Sequence, residues 1–142
     1  MGDDGVGILV AQELTRKIHD TNIDILEVNT DGLNLLEFVP RHDKLIVIDA
    51  ILVQGPQLGK ISRLEPKDFD VIKPTSVLPH QFNLISTLDM GNKLFPGEMP
   101  QDVIVFTIGI QEVTIFTEEL SPDVARAIPR VVKLVLEELA IA

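Results

Sequence analysis

Two short apolar runs limit the fold more than anything else in the sequence: Leu45-Ile46-Val47-Ile48, and Val103 to Ile110 (V-I-V-F-T-I-G-I). Neither alternates with polar residues, so each reads as a strand covered on both faces, the setting of a parallel sheet between helical layers. The segments around them read as helices. Gly5 to Ile18 places Val6, Leu9, Val10, Leu14 and Ile18 on one face, and Gln81 to Leu88 packs Phe82, Ile85 and Leu88. The last helix opens with Ser121-Pro122-Asp123, which supplies an N-cap, a proline at the first helical position and an acid against the dipole. Its apolar stripe is Val124, Ala127, Ile128, Val131, Val135 and Leu139; Pro129 inside it predicts a kink or break near Ile128. Ile23 to Val28 alternates as a half-buried strand, Gly32 to Val39 reads as a short helix stopped by Pro40, and Gly59 to Leu64 suggests an edge strand of antiparallel sense. The stretch from Glu65 to Pro79 reads mostly as loop.

Strands alternating with helices define an α/β fold of three layers. A mostly parallel, twisted sheet is expected with helices on both faces, flavodoxin-like or phosphorylase/hydrolase-like, as one domain over residues 1–142. The first helix, however, starts with no strand before it. In a doubly wound sheet the first strand lies between the second and third. Without it, segments 24–29 and 44–49 would lie about 9.6 Å apart, twice the usual spacing, and could not bond. The expectation is an N-terminally incomplete domain lacking about ten residues, the length of one strand and its turn. A monomer is expected, with the uncovered sheet edge as a route to self-association.

Composition excludes several functions. The net charge of −10 repels nucleic acid and anionic membrane surfaces, and serves solubility first; it also suits a basic protein partner. There is no Cys, which removes thiol nucleophiles, disulfides and thiolate metal sites, so any metal is left to His, carboxylate and water. No run of about 20 apolar residues exists to insert in a membrane. The opening Met1-Gly2-Asp3-Asp4 is the opposite of a basic, apolar secretory signal, so the expected location is cytoplasmic.

Ligands of a parallel α/β sheet bind outside the carboxyl ends of its strands. Asp3-Asp4 precedes the first helix, and Asp49 is read as the end of the strand Leu45–Ile48. Asp49 is the sole polar residue from Leu45 to Val53, and a buried carboxylate needs a cap, a cation or a metal. Capping the next turn explains a single strand-end Asp more economically; the coincidence with Asp3-Asp4 narrows that margin. His80, in Pro79-His80-Gln81, stands between a proline-rich loop and a helix, where a His commonly caps or meets solvent. Two carboxylates and an imidazole nevertheless make a divalent site with open positions, suited to Ni or Zn. His19 and His42 read as surface residues. No Walker loop, G-x-S-x-G elbow, H-E-x-x-H helix or EF-hand loop is present.

Taken in order, Gly2-Asp3-Asp4-Gly5-Val6-Gly7, Ile48-Asp49-Ala50, Pro79-His80-Gln81, Leu120-Ser121-Pro122 and Ala127-Ile128-Pro129 resemble the hydrogenase maturation endopeptidases. The family's apolar strand and Gly-x-Gly-Asn segment do not precede the acidic pair here. The resemblance implies an aspartyl-type endopeptidase whose catalytic and metal-contacting positions fall on Asp4, Asp49 and His80. It implies that the substrate is the precursor of a nickel–iron hydrogenase large subunit, already carrying nickel, and that a short C-terminal extension is removed. Zn or another divalent ion is expected to substitute for nickel in isolation. Hydrolysis through a metal-polarised carbonyl or water and hydrolysis through a carboxylate general base both remain open at this stage. Two rivals accompany this reading. A phosphoacceptor receiver domain also has an early acidic pair and an Asp after its third strand, but Lys73-Pro74 comes too early for its Lys-Pro signature. A non-catalytic α/β binding module of the peptidase fold is the other.

Overall fold

The computed structural model describes residues 5–27, 36–69, 79–111 and 121–140. In chain order they form α1 (Val6–Lys17), β1 (Lys44–Leu52), a 3-10 turn (Gly55–Gln57), β2 (Ile61–Leu64), α2 (Pro66–Phe69), α3 (Pro79–Leu94), β3 (Asp102–Ile110) and α4 (Pro122–Glu138). The strands form one sheet in the order β1-β3-β2. Every residue of β3 from Val103 to Ile110 is buried, which requires cover on both sheet faces. The architecture is thus the α/β sheet flanked by helices that the apolar runs dictate.

Four hydrogen bonds and a turn fix the register. The Asp102 N–H donates to the Asp43 carbonyl (3.4 Å) and the Val53 N–H to the Ile110 carbonyl (2.8 Å). Both partners ascend together, so β1 and β3 are parallel, with Lys44 opposite Asp102 and Leu52 opposite Ile110. The ion pair of Lys44 Nζ with Asp102 Oδ2 at 3.2 Å agrees with that alignment. Ahead of β2, the Lys60 N–H donates to the Gln57 carbonyl (3.0 Å) across Leu58 (φ −62, ψ 128) and Gly59 (φ 78), a type II turn. The Gly59 N–H then donates to the Gly109 carbonyl and the Gly109 N–H to the Lys60 carbonyl (2.8 and 2.9 Å). Two residues face one, a bulge with glycine in its first position, and β2 leaves it antiparallel to β3. Ser62 therefore stands opposite Thr107, and Leu64 opposite Val105.

The residues group into two compact units. In the first (Met1–Glu27, Ile48–Ser62, Phe106–Ala142) α1 packs against α4. Val6, Val10 and Leu14 of α1 are buried at steps of four, as are Val124, Ala127, Val131 and Val135 of α4 at steps of three or four, with Val132 beside them. In the second (Val28–Val47, Arg63–Val105) Val39, Met99 and Val105 form a core on which Leu36, Leu45, Val47, Leu64 and Leu88 pack.

Several elements differ from the sequence expectation. Residues 23–27 belong to no described strand, although Ile23 and Ile25 are half-buried between exposed Asp24 and Leu26. A strand exists through its ladder, and alternation alone does not create one. The short helix expected over 32–39 falls partly outside the described residues; Leu36 and Glu37 form a 3-10 turn. The α3 helix runs on to Leu94, past Gly91. There a Cβ would stand 2.4 Å from the Met99 methyl, so the glycine marks a close approach and not a helix end. The expected loop after Glu65 contains α2, where the Glu65 N–H donates to Asp68 Oδ2 at 2.9 Å, half of a capping box. The α4 helix continues through Pro129 without a break.

Candidate active site

Asp49 is the sixth of nine residues in β1 and is half-buried. The expectation that it ends the strand is corrected: β1 continues to Leu52 because pairing with β3 persists to the Val53–Ile110 bond. By the two-residue period Asp49 shares a face with Leu45 and Val47. The register sets Thr107 opposite Asp49 on β3 and Ser62 opposite Thr107 on β2, so three polar residues stand abreast. Thr107 is 1% exposed and, with Thr87, one of two buried polar side chains among the described residues. Reading Val103–Ile110 as an apolar run passed over it; the signal that could have found it is the lone hydroxyl in that run.

The parallel register also orients the backbone of β1. Asp43 and Val53 bond to β3, so alternate residues, Ile48 among them, turn their peptide groups to the outer edge. A Cβ on Gly7 would lie 3.9 Å from the Ile48 carbonyl oxygen, which puts the first turn of α1 at that edge beside Asp49. Asp3 and Asp4 lie outside the described residues. His80 is the second residue of α3 and is described in its backbone only. Among the described residues no group of three His, Asp or Glu could hold a metal ion; of the three expected ligands only the Asp49 side chain belongs to that set.

The other histidines stand apart from these positions in the sequence. His19 is exposed two residues after α1. His42, expected on the surface, is half-buried with Nδ1 3.3 Å from the Val39 carbonyl oxygen. At the carboxyl ends of β1 and β3 a cleft of about 460 Å³ is lined by Leu52, Val53, Gln54, Gly55, Leu58 and Gln111, without a charged residue. No helix among the described residues is long and apolar enough to cross a membrane.

The described strands thus form a mixed α/β sheet in which the half-buried Asp49 stands three residues before the end of β1, beside the start of α1. The family model for HycI, hydrogenase maturation protease, matches residues 8–138. The chain is 29% identical over 137 residues to Protein FrxA of Pyrococcus furiosus, covering 96% of this chain and 95% of that one. It is 25% identical over 123 residues to the Hydrogenase 2 maturation protease of Escherichia coli, covering 86% and 70%. The hydrogenase maturating endopeptidase HybD of E. coli has the same fold, with a TM-score of 0.80 at 24% identity over 99% of this chain and 85% of that one. The chain belongs to the HycI hydrogenase maturation protease family. It is a peptide-bond hydrolase of hydrogenase maturation, and the receiver reading falls.

Proposed function

We propose that the chain removes the C-terminal extension from the precursor of a nickel–iron hydrogenase large subunit, and that Asp4, Asp49 and His80 grip the nickel the precursor carries. The observation that supports this most is the packing of the first turn of α1 on the outer edge of β1 at Ile48. Asp4 precedes Gly5 directly, and consecutive Cα atoms are about 3.8 Å apart, so this acid is tethered close to that turn. His80 opens the helix whose Leu88 packs on the same core as Leu45 and Val47.

Nickel is here part of the substrate. It arrives with the precursor, and two carboxylates and an imidazole complete its coordination, so a metal-free precursor offers nothing to grip. Asp49 also serves as the general base: it takes a proton from the attacking water, and that proton goes to the departing amine. Water adds across one peptide bond, leaving a new C-terminal carboxylate on the subunit and a free peptide. The uncharged cleft at the carboxyl ends of β1 and β3 would take uncharged residues of the peptide next to that bond. A cytoplasmic setting, where precursors are synthesised, completes the reading.

Replacing Asp49 by Ala should abolish the mass loss of a nickel-loaded precursor in a cleavage assay. Unimpaired processing by that variant would remove Asp49 from the mechanism.

A further inference from the structure

The cleft at the carboxyl ends of β1 and β3 has a wall that is held in place. Its lining residues, Leu52, Val53, Gln54, Gly55, Leu58 and Gln111, belong to the first compact unit, as does Asp49. The loop from Val53 to Gly59 is tied to β3 at both ends, the Val53 N–H donating to the Ile110 carbonyl and the Gly59 N–H to the Gly109 carbonyl, each at 2.8 Å. Between these ties the loop rests on Gly109, where a Cβ would stand 2.3 Å from the Gln57 carbonyl oxygen. Two bonds then close the loop on itself, from the Gln57 N–H to the Gln54 carbonyl (3.4 Å) and from the Leu58 N–H to the Gly55 carbonyl (3.1 Å). Gly55 has a φ of 62, in the left-handed region, and a Cβ there would meet no atom within 4 Å. The wall is fixed and its rim is open. Leu52, Val53 and Leu58 give the cleft its apolar surface, and Gln54, Gly55 and Gln111 bring it no charge.

We infer that this cleft is the subsite for one residue of the leaving C-terminal extension, the third beyond the cleaved bond, and that it takes an uncharged aliphatic side chain there. The inference rests on the reading of Asp49 as the group that acts at the cleaved bond. Asp49 stands three residues before Leu52, about 10 Å along the strand, and an extended peptide crosses that distance in three residues. Before the bond, the precursor belongs to the body that carries the nickel; the extension ends free and can lie along the end of β1. At about 460 Å³ the cleft has the size of a small-ligand site. A charged side chain entering it would give up water without meeting a counter-ion among the lining residues, whereas an aliphatic one exchanges water for Leu52, Val53 and Leu58. Gln54 stands exposed on the lining, so its neutral amide sets the charge that an incoming side chain meets first.

Two measurements on the full chain test it. The first is cleavage of nickel-loaded precursors that carry Leu, Lys or Glu at the third residue of the extension. With the parent chain, Lys and Glu should each lower kcat/KM about tenfold against Leu. Gln54→Glu keeps the shape of the side chain and adds a negative charge, so it should raise the ratio of Lys to Glu cleavage about fivefold, the scale of an exposed ion pair. Equal cleavage of the three precursors by the parent, or an unchanged ratio in Gln54→Glu, overturns the subsite. The second measurement needs no turnover: a benzophenone side chain at the third residue of the extension, irradiated in the mixture of precursor and chain. It should attach to the segment Leu52–Leu58 or to Gln111; attachment elsewhere, or none, overturns the subsite even where cleavage responds to charge. Normal cleavage by Asp49→Ala, with the cross-link still at the cleft, removes Asp49 from the mechanism and leaves the subsite standing, because the cross-link locates it independently.

Discussion

Gly59 shows how tightly the neighbourhood of the sheet is built. Its φ of 78 serves both the type II turn and the bulge, and a Cβ there would lie 2.6 Å from the Asp123 carbonyl oxygen. Gly59→Ala should therefore cost about 1–2 kcal/mol for the left-handed backbone and about 1–3 kcal/mol more for the overlap, read as a lower urea midpoint at unchanged slope. A stability equal to the parent's would mean that the turn relaxes. Asp49 stands out at this scale because it alone interrupts an apolar run from Leu45 to Val53. Thr107 was not legible, because a β-branched residue inside a β run looks like ordinary strand material. Only the register, which sequence periodicity does not contain, sets it beside Asp49.

Among the elements, β3 and α4 were the easiest to read, each for a physical reason. The β3 run is apolar on both faces, and α4 announces itself with Ser121-Pro122-Asp123. Ser121 holds the N-cap position without a side-chain cap bond, its carbonyl accepting the Ala125 N–H at 2.9 Å, and Asp123 pairs with Arg126. The helix runs unbroken through Pro129, so the break that was the sharper of the two expectations does not occur. Burial of Val124, Ala127, Val131 and Val135 against α1 outweighs one missing backbone bond on the exposed side. Pro129→Ala should accordingly stabilise the chain by about 1–3 kcal/mol, measured by urea unfolding; a loss of stability would show that the proline fits its site without strain. The residues at 23–27 teach the complementary lesson. Their alternation survives as a burial pattern while the ladder that would make them a strand is absent among the described residues.

For the whole molecule, composition set limits and topology supplied the place. A chain with net charge −10 and no Cys offers a divalent ion carboxylates and imidazoles but no thiolate. The parallel pairing of β1 with β3, and the first turn of α1 at Ile48, set the half-buried Asp49 beside the start of a helix. The family match over residues 8–138 fixes the reaction as proteolysis in hydrogenase maturation. The central claim is that Asp4, Asp49 and His80 share one ion. Anomalous diffraction from crystals of the chain grown with Ni2+ tests it most directly. The account predicts one nickel peak with oxygen of Asp4 and Asp49 and nitrogen of His80 at about 2.0–2.2 Å, the range of divalent sites of this kind. A nickel peak elsewhere, or an ion at Asp49 with the imidazole of His80 turned away from it, would contradict it.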